Sequence, residues 1–256
     1  MPWKFIPRLL DAAFQEIMLI ITGQQDSWFI DSPLSDLGLS QAEEFKTFLS
    51  KNKESATVGE EVKLLLGESE TKSTMLASNL RRAISTGVVG AWDRIQSKEE
   101  KIILHSALQE ISTNPDTMSI TPGHSVPLPS WIEKDYKKGV DITKGYKAYL
   151  DPEHHAGNKT LDNNGQQRML EFNQWAFANQ ELGTLVCYGH SLWFRSFFKE
   201  FLPADSTHIS KTKKMENCAA VKLTVKRVLI GRTPHYIIDD KSIKVVYKGF
   251  EGSKKK

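Results

Sequence analysis

Residues 188–195 read YGHSLWFR. They follow an apolar run, GTLVC (183–187), and lead into SFFKEFL (196–202). The pattern predicts a buried strand, a sharp turn and a helix. The turn places two reactive side chains next to each other, His190 and Ser191. Either a hydroxyl nucleophile at Ser191 or an imidazole at His190 handling an anion suits such a turn.

Working outward from this stretch, apolar strand-like runs alternate with helical ones. IMLIIT (17–22), STMLAS (73–78), KIILHSAL (101–108) and GTLVCY (183–188) read as strands, apolar on both faces. Helices are expected from Ser40, as an N-cap with Glu43 completing a capping box, to about Leu49, and over 58–68, 80–96 and 166–180. In 80–96, Gly87 and Gly90 suit close packing. AAVKLTVKRV, PHYIID and SIKVVYK near the end are strand-like. The alternation predicts a three-layer α/β/α sandwich around a mostly parallel sheet, with functional groups at the carboxyl ends of its strands. One domain spans 1–256. It carries an N-terminal amphipathic arm over 1–15, a long irregular insertion over 112–164 with a short helix near GYKAYL, and a basic tail over 251–256.

Composition narrows the class. Hydrophobic residues are 39% and charged residues 25%, which suits a globular chain. The net charge is +3, and no basic stripe interleaved with aromatics appears, so nucleic acid is not an expected partner. The longest apolar run, IMLII, is far short of a membrane span, and Asp11 and Glu16 interrupt any signal-like segment. Cys187 and Cys218 lack metal-ligand spacing and read as buried, reduced thiols. A cytoplasmic protein without metal or cofactor is expected. His154 and His155, adjacent in a polar loop, read as solvated rather than metal-binding.

The serine reading meets obstacles. A nucleophile elbow needs glycine two residues after the serine, where helix and strand crowd together. Trp193 stands there. Of the later histidines, His208 and His235, only the first follows an acid in a plausible loop, and Asp205 is too close to it. Ser191 is then expected to be an N-cap of the helix.

The histidine reading gathers support elsewhere. DSPLSDLGLSQA (31–42), LASNLRRAIST (76–86), ALQE (107–110) and YGHSLWFR, with MENCAAV (215–221) after them, resemble in order the motifs of the histidine phosphatase superfamily, which includes the phosphoglycerate mutases. The resemblance implies a phosphoglycerate mutase-like fold and a phosphoryl pocket. In that family an imidazole attacks phosphorus, arginines and a second histidine hold the phosphoryl oxygens, and a carboxyl group moves the proton. It implies Arg82 as the anion-binding arginine, Glu110 as the acid and His190 as the second histidine, with Ser191 where the family has glycine.

The first motif departs from the family. Where R-H-G is expected, the chain has Ile21-Thr22-Gly23, followed by a matching Gln24. Thr22 replaces the nucleophile. Losing such a group costs a factor on the order of 10^4 to 10^6 in rate. Replacing arginine by Ile21 removes a charged contact of about 1.5–3 kcal/mol. The expectation is a degenerate site lined by Arg82, Thr22, Gly23, Gln24 and Ser191, binding a phosphorylated or carboxylated small molecule or a protein partner. The alternative is an enzyme with altered acid–base chemistry through Glu110 and His190. A third reading is the hydrolase through Ser191.

Overall fold

Four short strands lie parallel in one sheet in the computed structural model, which describes residues 5–22, 26–129, 140–160 and 165–252. In chain order the elements are α1 (Phe5–Ile21), α2 (Asp36–Lys51), α3 (Gly59–Leu65), β1 (Ser73–Ala77), α4 (Arg81–Gly90), α5 (Trp92–Lys98) and β2 (Ile102–Leu104). Then come α6 (Ile142–Tyr149), β3 (Leu150–Asp151), α7 (Gly165–Ala178), β4 (Thr184–Tyr188), α8 (Ser191–Phe201), β5 (Ala220–Ile230) and β6 (Thr233–Tyr247). The sheet order is β3–β2–β1–β4, so the α/β expectation of a parallel sheet holds. β5 and β6 form a separate antiparallel hairpin.

The strands are apolar on both faces because both faces are covered. Met75 and Ala77 of β1, Ile102 and Leu104 of β2, and Val186 and Tyr188 of β4 pack with Phe45 of α2 and Val88 of α4. The alternate residues Leu76, Ile103, Leu185 and Cys187 pack with Phe172 of α7 and Trp193 and Phe197 of α8. That is the period-two signature of a strand sandwiched between helices. The close approach of α4 requires its glycines. A Cβ on Gly87 would meet the Tyr188 ring at 3.1 Å, and one on Gly90 the Phe45 ring at 3.0 Å.

Several local expectations are corrected. Residues 17–21 are the last turns of α1 rather than a strand. A short apolar run fits either state. Here it extends a helix already nucleated upstream, which costs less than starting a new element. Glu16 fastens that helix, accepting from the Ser27 hydroxyl (2.8 Å) and the Trp28 N–H (2.7 Å). α2 starts earlier than Ser40. Its cap is Ser35, whose hydroxyl accepts from the Gly38 N–H. The 80–96 helix breaks at Ala91 into α4 and α5. The short helix expected near GYKAYL is present as α6, and the insertion also supplies the edge strand β3, which was not expected.

The carboxyl ends of the strands continue the ladder. Ser78 N–H donates to Tyr188 O and His105 N–H to Ala77 O, both at 2.9 Å. Ser78, His105 and His190 therefore emerge side by side.

Arg81 is the largest charged side chain locked into this edge, 1% exposed. It pairs with Asp26, donates to Ser27 O (3.0 Å) and Asp31 O (3.0 Å), and its backbone N–H donates to the Asp31 carboxylate (2.8 Å). Asp31 is itself fully buried. Removing one member of such a pair leaves buried charge uncompensated. Arg81→Met is expected to lower unfolding free energy by about 3–5 kcal/mol in urea titrations. A loss within the ordinary surface range would show that the network is dispensable.

Candidate functional site

His190 is the residue on which the site converges. It follows β4, caps the start of α8 with extended backbone (φ −124°, ψ 147°) and is 6% exposed. Its Nε2 shares a hydrogen bond of 2.8 Å with the Ser78 hydroxyl. Nδ1 has no hydrogen-bond partner among the described residues. Burial, and then the positive charges of Arg82, Lys159 and Arg168, hold its pKa well below 6.5. The ring is neutral at physiological pH.

Three cations come to it from three separate segments. Arg82 is the second residue of α4 and is partly exposed. Its guanidinium donates to Asp116 O at 2.5 Å and lies 3.7 Å from the Asp116 carboxylate. Lys159 comes from the insertion and is 9% exposed. Its ammonium donates to Glu110 O (2.5 Å), Thr117 O (2.8 Å) and the Thr117 hydroxyl (3.0 Å). No carboxylate among the described residues pairs with it. Burial first, and then Arg168, bring its pKa down to about 8. Arg168 of α7 donates to Gln109 O (2.7 Å) and Glu110 O (3.5 Å), and burial lowers its pKa too.

Glu110 lies in the same cluster, 5% exposed. Its carboxylate accepts from its neighbour's N–H, Ile111 (2.9 Å), and from Leu192 N–H in the first turn of α8 (3.4 Å). A carboxylate at a helix N-terminus is favoured by the helix dipole. That turn also donates Phe194 N–H to His190 O. Arg82 pairs with Asp116 rather than Glu110.

Of the residues read from sequence, Arg82, Glu110 and His190 are brought together. Thr22 is not part of this cluster. It is exposed at the end of α1, where its hydroxyl donates to Met18 O (2.7 Å) and Leu19 O (3.3 Å) of its own helix. Gly23 and Gln24 lie outside the described residues. Ser191 is the first residue of α8, and the cap position belongs to His190. The Ser191 hydroxyl has no hydrogen-bond partner among the described residues, so it lacks the base a nucleophile needs.

Lys159 and Arg168 were missed. Lys159 sits in a loop whose path sequence does not give. Arg168 had a readable signal, because it lies four residues before Phe172 and beside Met169 on the buried face of α7. Cations at such positions are rarely buried without a polar task.

The histidine pair is structural. His154 stacks on His105 (5.6 Å) and meets Trp175 edge-on (5.1 Å), and His155 Nδ1 accepts from Gly157 N–H. Among the described residues no group of three or more His, Cys, Asp and Glu is placed to hold a metal ion. Among them, too, no helix is long and apolar enough to cross a membrane. Cys187 and Cys218 are free thiols, Cys187 pushed up to about 12 by burial. No family model matches the chain, and no curated protein matches it.

Acid sensitivity follows from the buried bases. His190 is held well below 6.5 and His105 at about 4, both chiefly by burial. A base with a depressed folded pKa contributes stability above its unfolded value, lost as pH falls through the folded one. Asp31, raised from 3.8 to about 6 by burial, acts oppositely. Its contribution is present below 3.8 and lost as pH rises through about 6. Chemical denaturation is expected to show lower stability at pH 5 than at pH 7. His105→Asn is expected to shrink that difference and Asp31→Asn to widen it. Equal stability at the two pH values would contradict the assignment.

Proposed function

We propose that this protein is a histidine phosphatase-like protein of phosphoglycerate mutase-like fold whose altered site binds a phosphorylated or carboxylated ligand and does not proceed through phosphohistidine. The observation that carries this reading is the convergence of Arg82, Lys159 and Arg168 on a neutral His190 at the carboxyl edge of a parallel sheet. Ligands of open α/β sheets bind outside the carboxyl ends of the strands. Arg82 lies by Asp116, and Glu110 and Glu171 act on Arg168, but Lys159 has no carboxylate ion-pair partner among the described residues. An anion completes the cluster, with Arg82 the most accessible of the three donors. Thr22, exposed at the end of α1 and bonded to its own helix, supports a reading without phosphohistidine.

A second reading has its own observation. The neutral imidazole of His190 has no Nδ1 partner among the described residues and lies in a cluster that includes a carboxylate, which suits acid–base chemistry on a bound substrate. The two readings separate on turnover.

Inorganic phosphate is expected to raise the melting temperature saturably, through binding to the folded state alone. Arg82→Gln, on a partly exposed side chain, is expected to raise the half-saturating concentration about tenfold or more, the loss of one charged hydrogen bond. An unchanged phosphate response in Arg82→Gln would remove the site from the proposal. p-Nitrophenyl phosphate is expected to show no turnover. Turnover abolished by His190→Ala and by Glu110→Gln would instead support the acid–base reading. Ile21→Arg combined with Thr22→His is expected to gain no phosphatase activity, because both residues lie at the end of α1.

A further inference from the structure

The β5–β6 hairpin leaves the core before it turns. Tyr236 and Ile238 are buried, but every residue from Lys226 to His235 is exposed. At the tip, Leu229 is 70% and Ile230 64% exposed, and Gly231 makes the turn with φ +64°. A two-stranded ribbon standing in water is marginal by itself, and large aliphatic side chains at its end need an occupant.

Charge says which occupant. From Asn217 to Ile238 the chain has no acidic residue, while Lys226, Arg227 and Arg232 flank the aliphatic pair. Lys226 pairs with Asp239 at 2.7 Å, and the Arg227 guanidinium lies 5.5 Å over the Phe177 ring. Arg232, at the turn, has no ion-pair partner among the described residues. We infer that this tip seats on an anionic lipid surface, with Leu229 and Ile230 entering below the headgroups while Arg227 and Arg232 stay level with them. Aliphatic side chains at the acyl boundary with cations at headgroup height is the arrangement of interfacial anchors. A symmetric contact with a second copy would bring the same cations face to face. Nucleic acid would use the cations and leave the aliphatic pair in water. Such a contact is peripheral and needs no spanning helix.

The test is co-sedimentation of the full chain with phosphatidylcholine vesicles, with and without phosphatidylserine. Binding is expected only with phosphatidylserine and is expected to weaken with salt. Leu229→Ser with Ile230→Ser is expected to cut the partition coefficient by about tenfold or more. Arg227→Gln with Arg232→Gln is expected to cut it about tenfold at low salt. Both variants change exposed positions, so their melting temperatures serve as the folding control. No binding, equal binding to vesicles without phosphatidylserine, or binding unchanged in both variants would overturn the inference. The last result would move the contact to α1, whose Ile20 and Ile21 are also exposed. A concentration-dependent dimer lost in the tip variants, without vesicle binding, would assign the tip to a second copy and overturn it too.

Discussion

The side-chain amide of Gln109 ties together the segments on which the candidate site depends. It is fully buried. Its Nε2 donates to Thr117 O (2.9 Å) and Asn158 Oδ1 (2.8 Å), and its Oε1 accepts from Lys159 N–H (3.0 Å) and Asn79 Nδ2 (3.4 Å). Asn79 follows β1, Thr117 opens the insertion, and Asn158 and Lys159 close it. One amide thus joins both arms of a long insertion to the sheet edge. Each bond contributes about 1 kcal/mol net, but every buried partner left unmet costs about 1–3 kcal/mol. The second figure decides: these groups are satisfied together or exposed together, so the insertion cannot detach one contact at a time. Lys159 reaches the His190 cluster because of this tie, and so does the Glu110 carbonyl that Lys159 and Arg168 share.

The charge balance depends on that placement. Desolvation lowers the pKa of Lys159, Arg168 and His190, and neighbouring cations lower Lys159 and His190 further, while Glu110 and Glu171 oppose the shift at Arg168. Neutral His190 concedes its proton, which is the cheapest way to relieve crowding of positive charge. Lys159 answers differently, by placing its three donors on two carbonyls and a hydroxyl. Arg81 and Arg82, adjacent in sequence, divide the work. Arg81 turns inward to Asp26 and Asp31 and holds the loop before α2. Arg82 turns to Asp116 and keeps part of its guanidinium in water. A bound anion has to be met by a group that is reachable without unmaking the core, and of the three cations Arg82 fits that condition best.

The sheet was readable because parallel strands covered on both faces leave unmistakable apolar runs, as in STMLA and TLVCY. The positions of Arg82, Glu110 and His190 were readable because each directly follows or closely succeeds such a strand. Three things were not. Local caps depend on one side-chain rotamer, so Ser40 was read as the cap where Ser35 holds the place, and Ser191 where His190 does. The path of the insertion depends on buried amides such as Gln109 and Asn79, which leave no periodic signal. The state of IMLII depends on what precedes it, since five apolar residues satisfy a strand or a helix equally well.

That last ambiguity carries the most chemical weight. As the end of α1, Ile17–Ile21 leaves β4 with β1 as its one strand partner among the described residues. The carboxyl edge is then walled by α4, by the insertion and by α7, with nothing contributed by Thr22. A phosphoryl group held there would meet charge on the Arg82, Lys159 and Arg168 side and one uncharged imidazole, with the Glu110 carboxylate beside them. Cations placed around the phosphoryl oxygens stabilise the anion already in its ground state. Uniform stabilisation of that kind produces binding and leaves the barrier where it was. The physical case for a binding protein therefore rests less on the missing nucleophile alone than on a cluster whose remaining groups favour the bound anion itself.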